Sequence, residues 1–164
     1  MPGLGQPRER PTATIFDLAA AILSRTGEIP TMQLHKLAYC CQAWHLVWED
    51  RLLADADFYA WGTGPVNPNL HASHAGTFTI SGVPGNPGVF DADEAASIDE
   101  VVKAYGELRA FHLTAIVKNE DPWKSAWSGT EPGQRGRLIE ADRMQSFYVE
   151  LDGEPVGAAV HEGA

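Results

Sequence analysis

Long apolar runs are missing from this 164-residue sequence. No stretch approaches the ~20 consecutive apolar residues that a membrane-spanning helix requires. The opening Met1-Pro2-Gly3-Leu4-Gly5 also lacks the apolar core of a secretory signal. The expected location is the cytoplasm, with no membrane partner. Clustered positive charge is missing too. Twelve Lys and Arg face 22 Asp and Glu, for a net charge of −10. Lys36, Lys103, Lys118 and Lys124 stand apart, and arginines come together only in pairs, Arg8 with Arg10 and Arg135 with Arg137. Binding a polyanion depends on clustered cations that displace its counterions, so no nucleic-acid partner is expected. An acidic chain suits a basic partner instead. Cysteine is scarce. Cys40 and Cys41 are neighbours, and neighbours on a helix point in different directions, so both are expected to be reduced and buried. That fits a reducing compartment. Catalytic signatures are absent as well. There is no Gly-x-Ser-x-Gly elbow, P-loop or Rossmann fingerprint, and Gly62-Thr63-Gly64 is too short to cradle a phosphate. No catalytic residue, no cofactor and no enzymatic activity are expected.

What the chain has is helical periodicity. Hydrophobic content of 44% and charged content of 21% are ordinary for one globular domain. The organising stretch is 31–66. At about 100° per residue, Leu34, Leu37, Ala38, Cys41, Trp44, His45 and Trp48 share one face of a helix over 31–48. Met32, Cys40, Ala43 and Val47 leave the opposite side nearly uncharged. His35, Tyr39 and Gln42 form a polar strip, with Lys36 nearby. A helix apolar on almost every side must be wrapped by others, so this one is expected to be the domain's central post. The Thr31 hydroxyl, after Pro30, is expected to cap its first turn.

The remaining elements arrange around that post. Residues 1–11 and 152–164 read as flexible tails, leaving a domain over 12–151. Ile15, Leu18, Ala19 and Ile22 mark a first helix stopped by Gly27. Residues 50–57 read as a charged connector contributing little core. Phe58–Trp61 suits a short strand entering a glycine-rich turn, and Asn67-Pro68 suits the cap and first position of a short helix reaching His74. Phe78 and Ile80 are expected to point inward from a short strand, with 82–88 as a surface loop. Asp91 and Glu94 match a capping box. The following helix carries Ile98, Val101, Val102 and Tyr105, and ends at Gly106. Ala110–Asn119 follows, then a short helix begun by Asp121-Pro122, and a last helix over 140–149. The fold class is mainly α: a single compact helical domain around a central buried helix, with a small β-hairpin or short strands.

Individual side chains carry competing readings. His71 and His74 are spaced i, i+3, a spacing that could seat a metal, but no Cys or carboxylate cluster follows. Exposure beside a loop is the expectation, with no metal site. Cys40 or Cys41 as a nucleophile, with His35, His45 or His112 as base, would need an open electropositive setting that a wrapped helix does not supply. Lys36 divides evenly between a stem snorkelling to water and an ammonium holding a carboxylate or carbonyl near the 61–66 turn. Trp61, beside that turn, has the character of an interface anchor.

The order of landmarks resembles the Panacea family, which includes SocA-like and phage-associated GepA-like antitoxins. The matching residues are Met32, Leu34, Lys36, Leu37, Tyr39, Gln42, Ala43, Trp44, Ala60, Trp61, Gly64, Pro65 and Val66, followed by Glu120-Asp121-Pro122-Trp123. The resemblance covers roughly 12–150. Thr63 departs from it, since an aromatic or large residue usually stands before Gly-Pro-Val. The resemblance implies the antitoxin of a type II toxin–antitoxin system, in phage defence or a prophage. It would neutralise a cognate toxin, encoded by an adjacent gene, through direct protein–protein binding. The alternative it implies is an adaptor handing the toxin to a AAA+ protease such as ClpXP. The contact surface expected on this reading comprises Lys36, Tyr39, Trp61, Gly64, Pro65, Val66 and Trp123. Residues around 67–90, which carry no family landmark, are the other candidates.

Overall fold

The computed structural model describes residues 11–153. The expected tails therefore lie almost wholly outside the described residues. Helix α1 (Ile15–Thr26) opens with a reciprocal cap. The Thr14 hydroxyl accepts from the Asp17 amide at 3.1 Å, and the Asp17 carboxylate accepts from the Thr14 amide at 3.0 Å. Gly27 closes the helix at φ 74°.

Strand β1 (Ile29–Pro30) leads into α2 (Thr31–Glu49). Every α2 residue from Gln33 to Ala43 is buried, as are His45 and Leu46. Helices α1, α4 (Ala92–Tyr105), α5 (Ala110–Lys118) and α7 (Ala141–Asp152) all pack on it. It is the central post that its all-round apolar surface required. Between α2 and α4 the chain forms a hairpin, β2 (Tyr59–Trp61) and β3 (Gly64–Val66). The short helix α3 (Pro68–Ser73) and strand β4 (Thr79–Ile80) follow, with β4 antiparallel to β1. Helix α6 (Asp121–Trp127) lies against β2. Asn67 caps α3 through the Leu70 amide at 2.9 Å, and Asp91 with Glu94 forms the expected capping box on α4. The domain is mainly α, with two small two-stranded sheets among the described residues. None of its described helices is long and apolar enough to cross a membrane.

Four local expectations are corrected. Thr31 does not cap α2. Its hydroxyl donates instead to the Thr77 and Phe78 carbonyls, at 3.4 and 3.3 Å, where the β4 segment crosses the helix start. The 50–57 connector is not peripheral, because Leu52, Leu53, Ala54 and Ala56 are all in the core. Buried Gln42 makes this possible. Its Oε1 accepts from the Leu53 and Ala54 amides at 2.7 and 3.1 Å, and its Nε2 donates to the Ala54 and Ala56 carbonyls at 2.8 and 3.2 Å. One amide thus replaces the ladder that an irregular buried segment lacks. Phe78 does not point inward; it is 85% exposed, while Ile80 is half-buried. Trp48, grouped with the buried face, lies exposed and stacked on Trp44.

Candidate functional site

The hairpin is where the sequence landmarks converge. Gly62 and Thr63 form its two-residue turn, and Trp61 pairs with Gly64 across it. Gly64 takes φ 108°, a region that disfavours any side chain, and an added Cβ there would meet Lys36 Cε at 2.6 Å. The glycine therefore serves close approach between hairpin and post. On the outer side, the Trp123 indole donates to the Trp61 carbonyl at 3.0 Å, and Lys118 Nζ donates to the Gly62 carbonyl at 2.7 Å. Trp123 stacks on Trp127, and Lys118 sits 5.1 Å from the Trp123 ring centroid. The Gly136 amide donates to the Ala60 carbonyl, and the Ala60 amide to the Arg137 carbonyl, closing the far edge.

The seven residues expected at a contact surface are brought together, but mostly inside the protein. Lys36, Tyr39, Gly64, Pro65, Val66 and Trp123 are all buried. Only Trp61 is half-open, and the Arg135 guanidinium covers part of its ring at 3.8 Å from the centroid. Lys36 neither snorkels nor meets a carboxylate. It is 1% exposed, its stem lies against Gly64, and burial, then the nearby Lys118 charge, pushes its ammonium down to about 7. Glu120 is the acidic counterpart. Burial pushes its carboxyl up to about 7, opposed by the Tyr148 hydroxyl, which donates to it at 2.5 Å. The Tyr39 hydroxyl is buried and unpartnered.

The thiols behave as expected of core. Cys40 and Cys41 are free and buried, and burial raises both well above the ordinary thiol range, so the thiolate that nucleophilic attack requires is suppressed. His45 Nδ1 lies 2.8 Å from the Ser97 hydroxyl, and burial lowers this imidazole to about 4.

Two features were missed. The first is a histidine cluster. His74 is buried, contrary to the expectation of exposure, and its Nε2 lies 2.8 Å from Nε2 of His35 on α2, with His71 half-buried beside them. A histidine on the polar strip of a fully wrapped helix was the available signal, because a buried polar group requires a partner. The second is a set of exposed apolar side chains on segments that reach the N-terminal end of α2. Met32 and Phe111 are 38% and 70% exposed, and Phe78 is exposed as well. The Thr31 amide holds the Phe78 carbonyl at 2.9 Å, and Gln33 Nε2 holds the Gly106 and Leu108 carbonyls at 3.0 Å each. Two neighbours of Met32 therefore draw the Phe78 segment and the turn before Phe111 to the same end of the post. No periodicity signals such a set, since its members come from α2, α5 and the segment before β4.

Neither the curated proteins nor the solved structures contain a match to the chain. The family model of the SocA-like antitoxin Panacea domain matches residues 34–124, spanning the post, the hairpin, α3 to α5 and the start of α6. With more than half of its length matched, this chain belongs to the SocA-like antitoxin Panacea domain family.

Proposed function

We propose that this protein is the antitoxin of a type II toxin–antitoxin pair and silences its toxin by binding it directly. It acts through occupancy of a surface rather than through catalysis. The observation that carries the reading is membership of the antitoxin family over residues 34–124. Two features support a protein partner. The net charge of −10 suits a basic toxin, since complementary charge speeds encounter. Met32, Phe78 and Phe111 are large exposed apolar side chains on segments that reach one end of the post, and exposed aromatic side chains are characteristic anchors of interaction surfaces. Of the seven residues first expected at a contact surface, Trp61 is the one left half-open. The buried landmarks serve by holding the hairpin.

The test is co-expression with the product of the adjacent gene, read by growth and by gel filtration. Under this proposal, the neighbour alone stops growth, and this protein restores it through a complex that survives gel filtration. Restored growth with no complex, accompanied by loss of the neighbour from the cell, replaces direct neutralisation with delivery to a AAA+ protease. A harmless neighbour removes the proposal's toxin.

A further inference from the structure

We propose that His35, His71 and His74 form a binding site for one divalent transition-metal ion of the zinc class. One ring nitrogen from each residue falls within 4.8 Å of the other two. The Nε2 atoms of His35 and His74 are 2.8 Å apart. The rings face one another at angles rather than in a stack. His35 and His74 are 5.0 Å apart at 72°, His71 and His74 5.3 Å at 76°, and His35 and His71 6.3 Å at 51°. A zinc ion sits about 2.0–2.1 Å from each imidazole nitrogen, which puts tetrahedral nitrogens roughly 3.3 Å apart. Reaching that geometry requires His35 and His74 to part by about half an ångström, and His71 to adjust its rotamer.

The scaffold suits the task. His35 is held on the buried post, while His71 lies on α3 and His74 is the residue that caps its C-terminal end. Burial and the neighbouring cations keep His35 far below its ordinary range, and burial lowers His74 as well. Both are therefore the neutral imidazoles that a metal requires. His71 is half-buried, with the Trp61 ring edge-on to it at 5.0 Å, and of the three residues it is the one that reaches solvent, from which a water would come as a fourth ligand. Imidazole donors with no carboxylate favour zinc, nickel and copper over magnesium or calcium. Lys36, next to His35 in the chain, is the cation that opposes binding most directly.

Without an ion the cluster is a hydrogen-bonded chain. The Asn67 amide donates to His35 Nδ1 at 3.3 Å, so Nε2 of His35 carries the proton and donates it to Nε2 of His74. An ion takes the place of that proton, which moves to Nδ1 of His35, and the contact with Asn67 is lost. Orienting partners of this kind are worth roughly 10–100-fold in metal affinity, so this site binds more weakly than a four-ligand structural site. Bound, the ion would tie α3, and the segment that follows it, to the post.

The test uses the full chain, free of tag histidines and stripped with chelator. Zn²⁺ is titrated by calorimetry, and Co²⁺ by its visible absorption. The expected result is one ion per chain, a rise in unfolding temperature with zinc, and visible Co²⁺ bands of a low-symmetry nitrogen site. His71→Ala and the more conservative His71→Gln are expected to weaken binding by about 30-fold or more. His112→Ala, on α5, is expected to leave it unchanged. No saturable zinc binding below about 100 µM overturns the proposal. So does binding unaffected by both His71 variants, or a sulfur-to-cobalt absorption band, which would place the ion on Cys40 and Cys41. Should both His71 variants fail to fold, the cobalt spectrum of the unaltered chain decides: nitrogen-site bands support the site, and their absence overturns it.

Discussion

The hairpin and its seat on the post differ sharply from the end of the post where β4 crosses. The first holds Lys36, Tyr39, Gly64, Pro65, Val66 and Trp123 in the interior, cross-linked by backbone and indole hydrogen bonds. The second carries Phe78, Met32 and Phe111 to the surface. Most of the residues by which the family is recognised thus build a frame, and of the large exposed apolar side chains at the other end only Met32 belongs to that set. A domain of this construction is able to keep its frame while its contacts change. Substitutions inside the frame should act through stability, and substitutions at the crossing end through binding.

The largest effect is expected at Gln42. Gln42→Ala orphans the buried Leu53 and Ala54 amides and the Ala56 carbonyl, while the Ala54 carbonyl keeps the Ala56 amide, at a cost of about 3–5 kcal/mol, read as a lower denaturation midpoint. Toxin binding by the fraction that stays folded should be unchanged.

Lys36→Met is expected to act in the opposite direction. The ammonium's folded value of about 7 lies below its ordinary 10.5, so the unfolded chain binds more protons between those values, and stability rises with pH across that window. Replacing the buried ammonium with a thioether of similar length should stabilise by roughly 3 kcal/mol at pH 7 and flatten that rise. Retained toxin binding in this variant would confirm that Lys36 belongs to the frame; lost binding in a more stable protein would return it to the contact surface.

Glu120→Gln is a smaller step in the same direction. The carboxyl's folded value of about 7 lies above its ordinary 4.5, so stability is highest below 4.5 and falls as pH rises to about 7. The amide keeps an acceptor for Tyr148 and should add roughly 2 kcal/mol at pH 8, with little gain at pH 4, measured by urea unfolding at both values.

Phe78→Ser should move stability least, within about 0.5 kcal/mol, since its ring is already in water. Its effect on toxin affinity, measured by calorimetry, is expected to be a loss of about tenfold or more. Equal affinity in Phe78→Ser and Phe111→Ser would dissolve the contrast between frame and contact end.

The helices were legible because burial imprints a period on any helix that packs. The stripe over 15–22 is one case, the apolar girth of 31–48 another. The caps at Asn67 and Asp91 were legible because the hydrogen bond is local, made three residues away. Thr31 shows the limit of that reasoning. Its local signal was that of a cap, and the segment leading into β4 claimed the hydroxyl through the Thr77 and Phe78 carbonyls. Gln42 and the 53–56 segment show the same limit in reverse, since nothing in a charged connector announces that a distant amide will hold it in the core.

The amino-acid sequence by itself determined the helical class, the central post, the caps at Asn67 and Asp91 and the family, because each is written in spacing along one element or in the order of motifs. Tertiary structure alone decided that Lys36 and the Gly64–Val66 strand face inward, that Phe78 and Phe111 face outward, and that His35 meets His71 and His74. These outcomes depend on which element covers which. A periodicity records that a face is buried or exposed, and carries no information on the partner that arrives from 36 or 39 residues away.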